Sequence, residues 1–301
     1  MILNIHRRGQ ASSIKKARIR RKGQKKNENH FRPISEQAYT QVSSDFWSVL
    51  QINMSVLHSV LVEGENRMKG LKEDLRETAV QVGADLFGVA SVEDLNDAPS
   101  GHRPTDILRG AKSVIVLGMK MLDAQTDVLP IEGDSSEVAP RQDMFKGHNT
   151  FISQQLDRVG YDLSRFLEKK GFKAFHQMAS TGGTDQRYLV GLLSLKHLAV
   201  KAGVGVFGRH SLLITPQYGP RVRLTAIITD AKLQPDKPFV RDFCKECESP
   251  CISLCPARAL KKPIGNSPYE INKFACSQYL NTRPACSVCL KVCPVGTQRV
   301  R

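Results

Sequence analysis

The sequence predicts an α/β (α+β) core domain followed by a small cysteine-rich domain. Over residues 65–237 the apolar positions alternate between helical spacing and the short runs that are typical of strands. All eight cysteines lie in the last fifth of the chain, between Cys244 and Cys293. A chain of 301 residues is long enough for about two domains. We therefore predict the core domain over 65–237 and the cysteine domain over 238–301.

The first 35 residues carry most of the positive charge. The chain has 44 Lys and Arg against 29 Asp and Glu, a net charge of +15, and +10 of this lies in residues 1–35. Such a polar, basic stretch is predicted to be a disordered tail. It is either an arm that binds nucleic-acid phosphates through its charge or a solvated extension, and solvation is the commoner role of such a run.

The segment after the tail shows no membrane or export signal. Trp47, Leu50, Leu57 and Leu61 follow a loose helical spacing, which predicts an amphipathic helical segment over 36–64 that docks on the core. No stretch has the ~18–20 consecutive apolar residues of a membrane span. No apolar segment follows the basic start, as it would in a secretory leader. We expect a cytoplasmic protein with no membrane span.

The elements of the core domain follow from apolar spacing and from glycines placed as helix ends. Leu71, Leu75, Ala79 and Val82 predict a helix that Gly83 ends. The other predicted elements are strands over 85–90, 113–118 (buried on both faces) and 173–178, helices over 149–170 and 189–201, strands over 211–215 and 221–229 on either side of the turn 216–220, and a linker over 233–238. The glycine-rich segment 202–209 lacks the GxGxxG pattern after a strand, so a dinucleotide site is not predicted.

The cysteines form two runs that each end in Cys-x3-Cys-Pro. The first reads Cys244-x2-Cys247-x3-Cys251-x3-Cys255-Pro256, and the second follows the isolated Cys276 as Cys286-x2-Cys289-x3-Cys293-Pro294. This spacing resembles the bacterial-ferredoxin pattern of two [4Fe–4S] clusters, in which the last cysteine of each run ligates the other cluster. The first run departs from that pattern by one extra residue between its second and third cysteines.

The ferredoxin resemblance implies two sets of four ligands with none left over. The first set is Cys244, Cys247, Cys251 and Cys293, and the second set is Cys255, Cys276, Cys286 and Cys289. A zinc ribbon built from Cys244, Cys247, Cys286 and Cys289 is the alternative. It would leave four cysteines and both Cys-Pro endings without a role, so the two clusters are favoured.

Two segments carry a wider resemblance, which covers roughly residues 68–295. They are 202–224, AGVGVFGRHSLLITPQYGPRVRL, and the pair Cys276-Ser-Gln-Tyr279 and Ala285-Cys-Ser-Val-Cys289. They resemble the superfamily of reductive dehalogenases and epoxyqueuosine reductases, which are corrinoid-dependent iron–sulfur reductases. The resemblance implies an α/β domain that holds a cobalamin-type cofactor and a ferredoxin-like module. It also implies a low-potential electron donor of the ferredoxin or flavodoxin type, and a substrate that is a small molecule or a tRNA.

The same resemblance suggests candidates for the reaction site. The dehalogenase branch uses a tyrosine as proton donor, which points to Tyr188, whereas the epoxyqueuosine branch uses an aspartate. Leu189, Val190 and Gly191 stand where that aspartate is expected, and Asp185 is the nearest acid. Gly208, Arg209 and Ser211 are candidates to line the corrinoid, because a glycine allows close backbone approach. Arg221 and Arg223 are further candidates to hold an anionic substrate or the corrinoid's polar side chains.

We therefore predict a reductase that passes electrons through two [4Fe–4S] clusters to a cobalamin-type site. The alternative is a ferredoxin-like electron carrier without a corrinoid. A third hypothesis is a nucleic-acid-binding protein whose basic arm over 1–35 is its main functional part.

Overall fold

A computed structural model describes residues 70–131, 135–179, 187–283 and 286–297. All of these belong to one unit, Ser59–Arg301. The predicted basic tail 1–35 and the predicted helical segment 36–64 lie outside the described residues, and so does Asp185.

The centre of the described chain is a four-stranded antiparallel sheet. Its strands stand in the order β1-β2-β6-β3, and two short two-stranded sheets, β4-β5 and β7-β8, flank it. The strands are β1 (Leu86–Ser91), β2 (Ser113–Lys120), β3 (Ala174–Gln177), β4 (Val206–Phe207), β5 (Leu213–Ile214), β6 (Val222–Thr229), β7 (Leu260–Lys261) and β8 (Glu270–Ile271).

Eight α-helices of the described residues surround these sheets. They are α1 (70–81), α2 (Pro104–Ile107), α3 (Asp123–Asp127), α4 (Ser135–Lys169), α5 (Leu195–Lys201), α6 (Pro250–Ser253), α7 (Lys273–Thr282) and α8 (Val288–Lys291). The sheet and its helices confirm the predicted α/β (α+β) class.

Alternate residues of β2 enter two separate hydrophobic cores. Ile115 and Leu117 pack with apolar residues of α1 and α4, whereas Val114 and Val116 pack with residues of α5 on the other face. All four side chains are fully buried. The prediction of a strand buried on both faces is confirmed, because successive side chains of a strand point to opposite faces.

Glycines end the two helices as predicted, but two helix starts and one predicted core position differ. Gly83 and Gly171 have φ of +104° and +88°, the left-handed backbone that ends a helix. Val82 does not complete the buried stripe of α1, since 43% of its surface is exposed. The helix predicted over 149–170 begins fourteen residues earlier, at Ser135. The helix predicted over 189–201 begins at Leu195, because Leu189 has a φ of +49° that no helix interior accepts.

The two strands around the turn 216–220 do not pair with each other. β5 pairs with β4, and β6 lies in the central sheet between β2 and β3. A bridge between Thr215 and Gly219 closes the turn. The segment predicted as a linker is held along β1, where the Asp236 N–H donates to the Val89 carbonyl at 2.8 Å and Lys72 Nζ contacts Asp236 Oδ1 at 2.8 Å.

The turn 216–220 contacts the end of the cysteine-containing segment backbone to backbone. Gly219 and Gly296 have φ of +56° and +74°. A Cβ on Gly219 would collide with the carbonyl oxygen of Val295, and a Cβ on Gly296 would collide with the backbone of Tyr218 and Gly219. Both positions therefore require glycine for the conformation and for the space.

Replacing Gly219 by Ala should lower the free energy of unfolding by about 2–4 kcal/mol, because the new Cβ is strained by its φ and meets backbone that cannot move aside. Gly147→Ala is the matched control. Gly147 lies inside α4, and no atom stands within 4 Å of the place that a Cβ would take there, so this change should raise stability by about 0.5–1 kcal/mol. Thermal unfolding followed by circular dichroism measures both. Equal midpoints for the two variants would contradict the role assigned to Gly219.

Candidate functional site

The first set of cysteines lines one small cavity. The thiols of Cys244, Cys247, Cys251 and Cys293 share this cavity with His210, Ile214 and Phe243 and with neighbours along the cysteine segment. Cys251 lies in α6, directly after the turn that Ser249 makes with a φ of +61°. Cys293 enters from the far end of the segment, beyond α8. The first three cysteines of the first run and the last cysteine of the second run thus meet.

The second set lines a larger cavity of about 500 Å³. Its cysteine end is formed by Cys255, Cys276, Cys286 and Cys289. The rest of its wall comes from the core domain, and it includes residues of β5, β6 and the start of α5. This division of the eight cysteines is the same as the two predicted ligand sets. The four cysteines of the zinc alternative do not share a cavity, because Cys244 and Cys247 line one and Cys286 and Cys289 line the other.

The thiols within each set disfavour one another's ionisation. Burial, with the neighbouring thiols adding to it, raises the pKa of Cys251 to about 11 and that of Cys289 to about 12. Burial likewise raises the pKa of Cys293 to about 11. Thiolates are the form that ligates metal. A cationic group between them would remove the repulsion that raises these pKa values.

Backbone N–H groups are directed at several of these sulfurs. Ser249 N–H donates to Cys247 Sγ and Ala259 N–H donates to Cys255 Sγ, both at 3.4 Å. The backbone N–H groups of Arg209, Val288 and Val295 donate to the sulfurs of Cys244, Cys286 and Cys293 and act to lower their pKa. Hydrogen bonds to the sulfurs are one of the means by which proteins set iron–sulfur potentials.

Lys196 and Arg223 bring two cationic side chains to the wall of the large cavity. Lys196 Nζ donates to the carbonyl oxygen of Ser211 at 2.6 Å and contacts its Oγ at 3.2 Å. Burial lowers the pKa of Lys196, and the nearby Cys289 and Cys276 oppose that shift. Arg223 Nε donates to Ser153 Oγ at 2.9 Å, and burial lowers the pKa of its guanidinium.

The amide of Asn149 brings an unpartnered acceptor to this cavity among the described residues. Asn149 lines the cavity from α4, and its Oδ1 is buried without a hydrogen bond. An unpaired buried acceptor costs about 1–3 kcal/mol. Asn149 Oδ1 is therefore able to accept a hydrogen bond from a ligand at this end of the cavity.

The structure separates the candidates that the resemblance suggested. Ser211 lines the large cavity, with a φ of +64°. Gly208 does not line it but gives room to His210, since its Cβ would lie 2.6 Å from the imidazole Cε1. Arg209 belongs to the first set of cysteines, where its Nη1 donates to Ser249 Oγ at 2.6 Å and to the Cys247 carbonyl at 3.3 Å. Tyr188 is 61% exposed and is not among the residues that line either cavity.

Arg221 is not among the residues that line either cavity, and it connects two helices instead. Its side chain is 1% exposed and lies 4.0 Å from Asp123 Oδ1 and 3.6 Å from Asp127 Oδ1. Its Nη2 donates to the carbonyl oxygen of Lys291 at 3.3 Å. It thus joins α3 to α8, which carries Cys289.

Sequence reasoning did not select Lys196, Asn149 or His210. A lysine within a predicted helix, an asparagine at the start of another and a histidine just before a predicted strand resemble ordinary surface residues. Their common property is that they face the same cavity, and this depends on contacts between segments far apart in the chain.

Characterised proteins that are similar in sequence to this chain are reductases. The chain is 30% identical over 248 residues to a tetrachloroethene reductive dehalogenase of Desulfitobacterium hafniense, covering 75% of this chain and 39% of that protein. It is 25% identical over 267 residues to the epoxyqueuosine reductase of Bacillus subtilis, covering 75% and 64%. The chain belongs to the superfamily of reductive dehalogenases and epoxyqueuosine reductases. The sequence resemblance is thereby confirmed, although the chain spans less than two thirds of the length of these relatives.

Solved structures of the same superfamily share the fold. A crystal structure of an epoxyqueuosine reductase aligns with a TM-score of 0.51 at 21% identity, over 75% of this chain and 66% of that one. A reductive dehalogenase studied for its B12-dependent dehalogenation aligns with a TM-score of 0.57 at 18% identity, over 75% and 31%. No protein-family model matches the chain. Within the described ranges, every helix is too short or too polar to cross a lipid bilayer.

Replacing Arg209 by Met should destabilise the loop that carries Cys247 and Ser249. The change removes two hydrogen bonds from a charged donor, and we expect a loss of about 1–3 kcal/mol and faster proteolysis of this loop. Arg241→Met is the control, because Arg241 lies over the Phe243 ring at 4.8 Å without a hydrogen bond to this loop among the described contacts. Limited proteolysis with identification of the cut sites measures the difference. Identical cleavage of both variants would rule out this role for Arg209.

Proposed function

We propose that the chain is an iron–sulfur reductase with two [4Fe–4S] clusters and a cobalamin-type corrinoid site. The observation that carries the proposal is the division of the eight cysteines between two cavities, four in each. Superfamily membership supports the reductive activity. The electron donor would be a low-potential protein of the ferredoxin or flavodoxin type, and the substrate would be a small molecule or a tRNA.

The donor chemistry of both sets fits a [4Fe–4S] cluster. Each set offers four thiols, and burial together with neighbouring thiols raises the pKa of Cys251 in the first set and of Cys289 in the second. Each set also receives backbone N–H groups at sulfur. The first set would be Cys244, Cys247, Cys251 and Cys293, and the second would be Cys255, Cys276, Cys286 and Cys289. The raised pKa values imply that proton release accompanies cluster binding.

The part of the large cavity beyond the cysteines offers an apolar wall and a few polar groups, the kind of lining that a corrinoid would need. Its wall is mainly apolar, with Leu213, Leu224 and Met121 among its members. The unpartnered Asn149 Oδ1 could accept from a corrinoid amide, and Arg223 and Ser211 add polar groups on other sides. A mainly apolar pocket with few convergent polar groups is typical of cofactor sites.

When bound, the clusters would supply single electrons and the corrinoid a strongly reducing cobalt centre. This chain's own residues would bind and orient these groups. The buried wall formed by β5 and β6 would exclude water, and Lys196, fixed on the Ser211 carbonyl, would hold positive charge beside the second set. Such a charge favours the more reduced, more negative state of a neighbouring group.

The reaction would also need a proton donor, for which this chain offers three candidates. Tyr188 and Asp185 stay candidates from the resemblance, and the exposed position of Tyr188 means that its loop would have to move for the phenol to reach the cavity. Tyr279 is a phenol that already lines the cavity. Comparing Tyr188→Phe with Tyr279→Phe under turnover would tell which hydroxyl is needed, since a donor must come within hydrogen-bond distance of its acceptor.

Metal analysis of the anaerobically reconstituted protein tests the proposal. We expect about eight iron atoms per chain, four for each cluster, and one cobalt after incubation with cobalamin and gel filtration. Iron without cobalt would favour the ferredoxin-like carrier. Zinc in place of iron would overturn the cluster assignment.

Single replacements should remove the clusters separately. Cys251→Ser should abolish the EPR signal of the first cluster and Cys289→Ser that of the second, each with loss of about half of the iron. Ser253→Ala is the control, since Ser253 is an exposed neighbour of Cys251 in α6. Retention of both signals in either cysteine variant would refute the ligand sets.

A further inference from the structure

His210 lines both cavities. Its imidazole lines the small cavity of the first cysteine set and also the large cavity that contains the second set. The residue is only 3% exposed. It lies within the segment 202–224 that carries the resemblance, but it was not among the candidate site residues.

The ring is held in one orientation. His210 Nδ1 accepts a hydrogen bond from the Leu212 N–H at 3.1 Å. Gly208 also packs against this ring. A Cβ at Gly208 would lie 2.6 Å from the imidazole Cε1 and 3.0 Å from Nδ1. The ring edge that carries Cε1 and Nδ1 is therefore packed against backbone, and it cannot rotate without losing the Leu212 contact.

The other nitrogen is buried and has no partner. His210 Nε2 makes no hydrogen bond with any described residue. Because Nδ1 is an acceptor, the proton of a neutral ring must be on Nε2. Burial and the nearby Lys196 lower the pKa of His210 to about 4, so the ring is neutral near pH 7. A buried N–H without an acceptor costs about 1–3 kcal/mol. Such a cost is unusual for a side chain that is held in one orientation.

We propose that the Nε2–H of His210 donates a hydrogen bond to a sulfur of one of the two clusters and raises the reduction potential of that cluster. This rests on the proposed function, since it requires the clusters. Reduction adds negative charge to the cluster, and an N–H dipole directed at its sulfur stabilises the reduced state more than the oxidised state. His210 is thus a positioning and tuning residue at the boundary between the two cluster sites.

An EPR-monitored redox titration of the reconstituted protein tests this. His210→Phe keeps a planar ring but removes the N–H, and it should lower the equilibrium constant for one-electron reduction of one cluster about tenfold, which is 59 mV. The other cluster should keep its potential. His210→Gln retains an N–H donor and should restore part of the shift. His197→Phe is the matched control, because His197 contacts Ser194 and the Phe207 ring and should leave both potentials unchanged.

A second measurement detects the hydrogen bond directly in the unmutated protein, and a variant serves only to assign it. In protein labelled with 15N-histidine, pulsed EPR of the reduced clusters should show a 15N coupling that His210→Gln eliminates. Two intact clusters with no 15N coupling, or with unchanged potentials in His210→Phe, would overturn this inference and leave the proposed function standing. Failure of the unmutated protein to assemble clusters would instead overturn the proposed function, and this inference with it.

Discussion

The backbone contact between Gly219 and Gly296 fixes the cysteine segment against the core domain, and both cavities depend on it. Hydrogen bonds of 2.9 and 3.0 Å between Thr215 and Gly219 close the turn on which the contact is made. The chain continues from this turn directly into β6, which supplies part of the wall of the large cavity. On the other side of the contact, Cys293 lies only three residues before Gly296. This close backbone contact thus ties the end of the segment that carries Cys293 to the turn that leads into the core-domain wall.

A buried arginine reinforces the same contact electrostatically. Arg221 follows the turn immediately, and its guanidinium lies between α3 and α8 with Asp123, Asp127 and the Lys291 carbonyl around it. Lys291 makes a second link between the same two helices, because its Nζ donates to the Asp127 carbonyl at 2.9 Å. A buried charge is tolerated only with such partners. In this structure the arginine of the Gly-Pro-Arg sequence therefore serves docking, whereas the sequence left two roles open for it, a ligand-binding arginine or an ordinary solvated one.

Local information in the sequence was sufficient for the core and insufficient for the cavities. Successive side chains of a strand point to opposite faces, so the continuous apolar run of β2 predicts burial on both faces. Gly83 and Gly171 could be predicted as helix ends because a helix often ends at a left-handed residue. The position of Leu189 with its φ of +49° could not, because apolar spacing does not report a left-handed residue. The grouping of the cysteines followed from the spacing of a known pattern. Lys196 and His210 required the tertiary contacts of α5 and β5, which no local pattern contains.

The unequal walls of the two cavities support the proposed reductase over a simple electron carrier. The first cysteine set is enclosed mainly by its own segment, with His210 and Ile214 as the contribution of the core domain. The second set opens into a space of about 500 Å³ whose remaining wall is core domain. An electron carrier needs only clusters near a surface, and it has no use for a cavity that continues beyond one cluster into a second domain. A reductase needs such a space, since its cofactor and substrate must meet the cluster there. The geometry of the second set therefore favours the reductase.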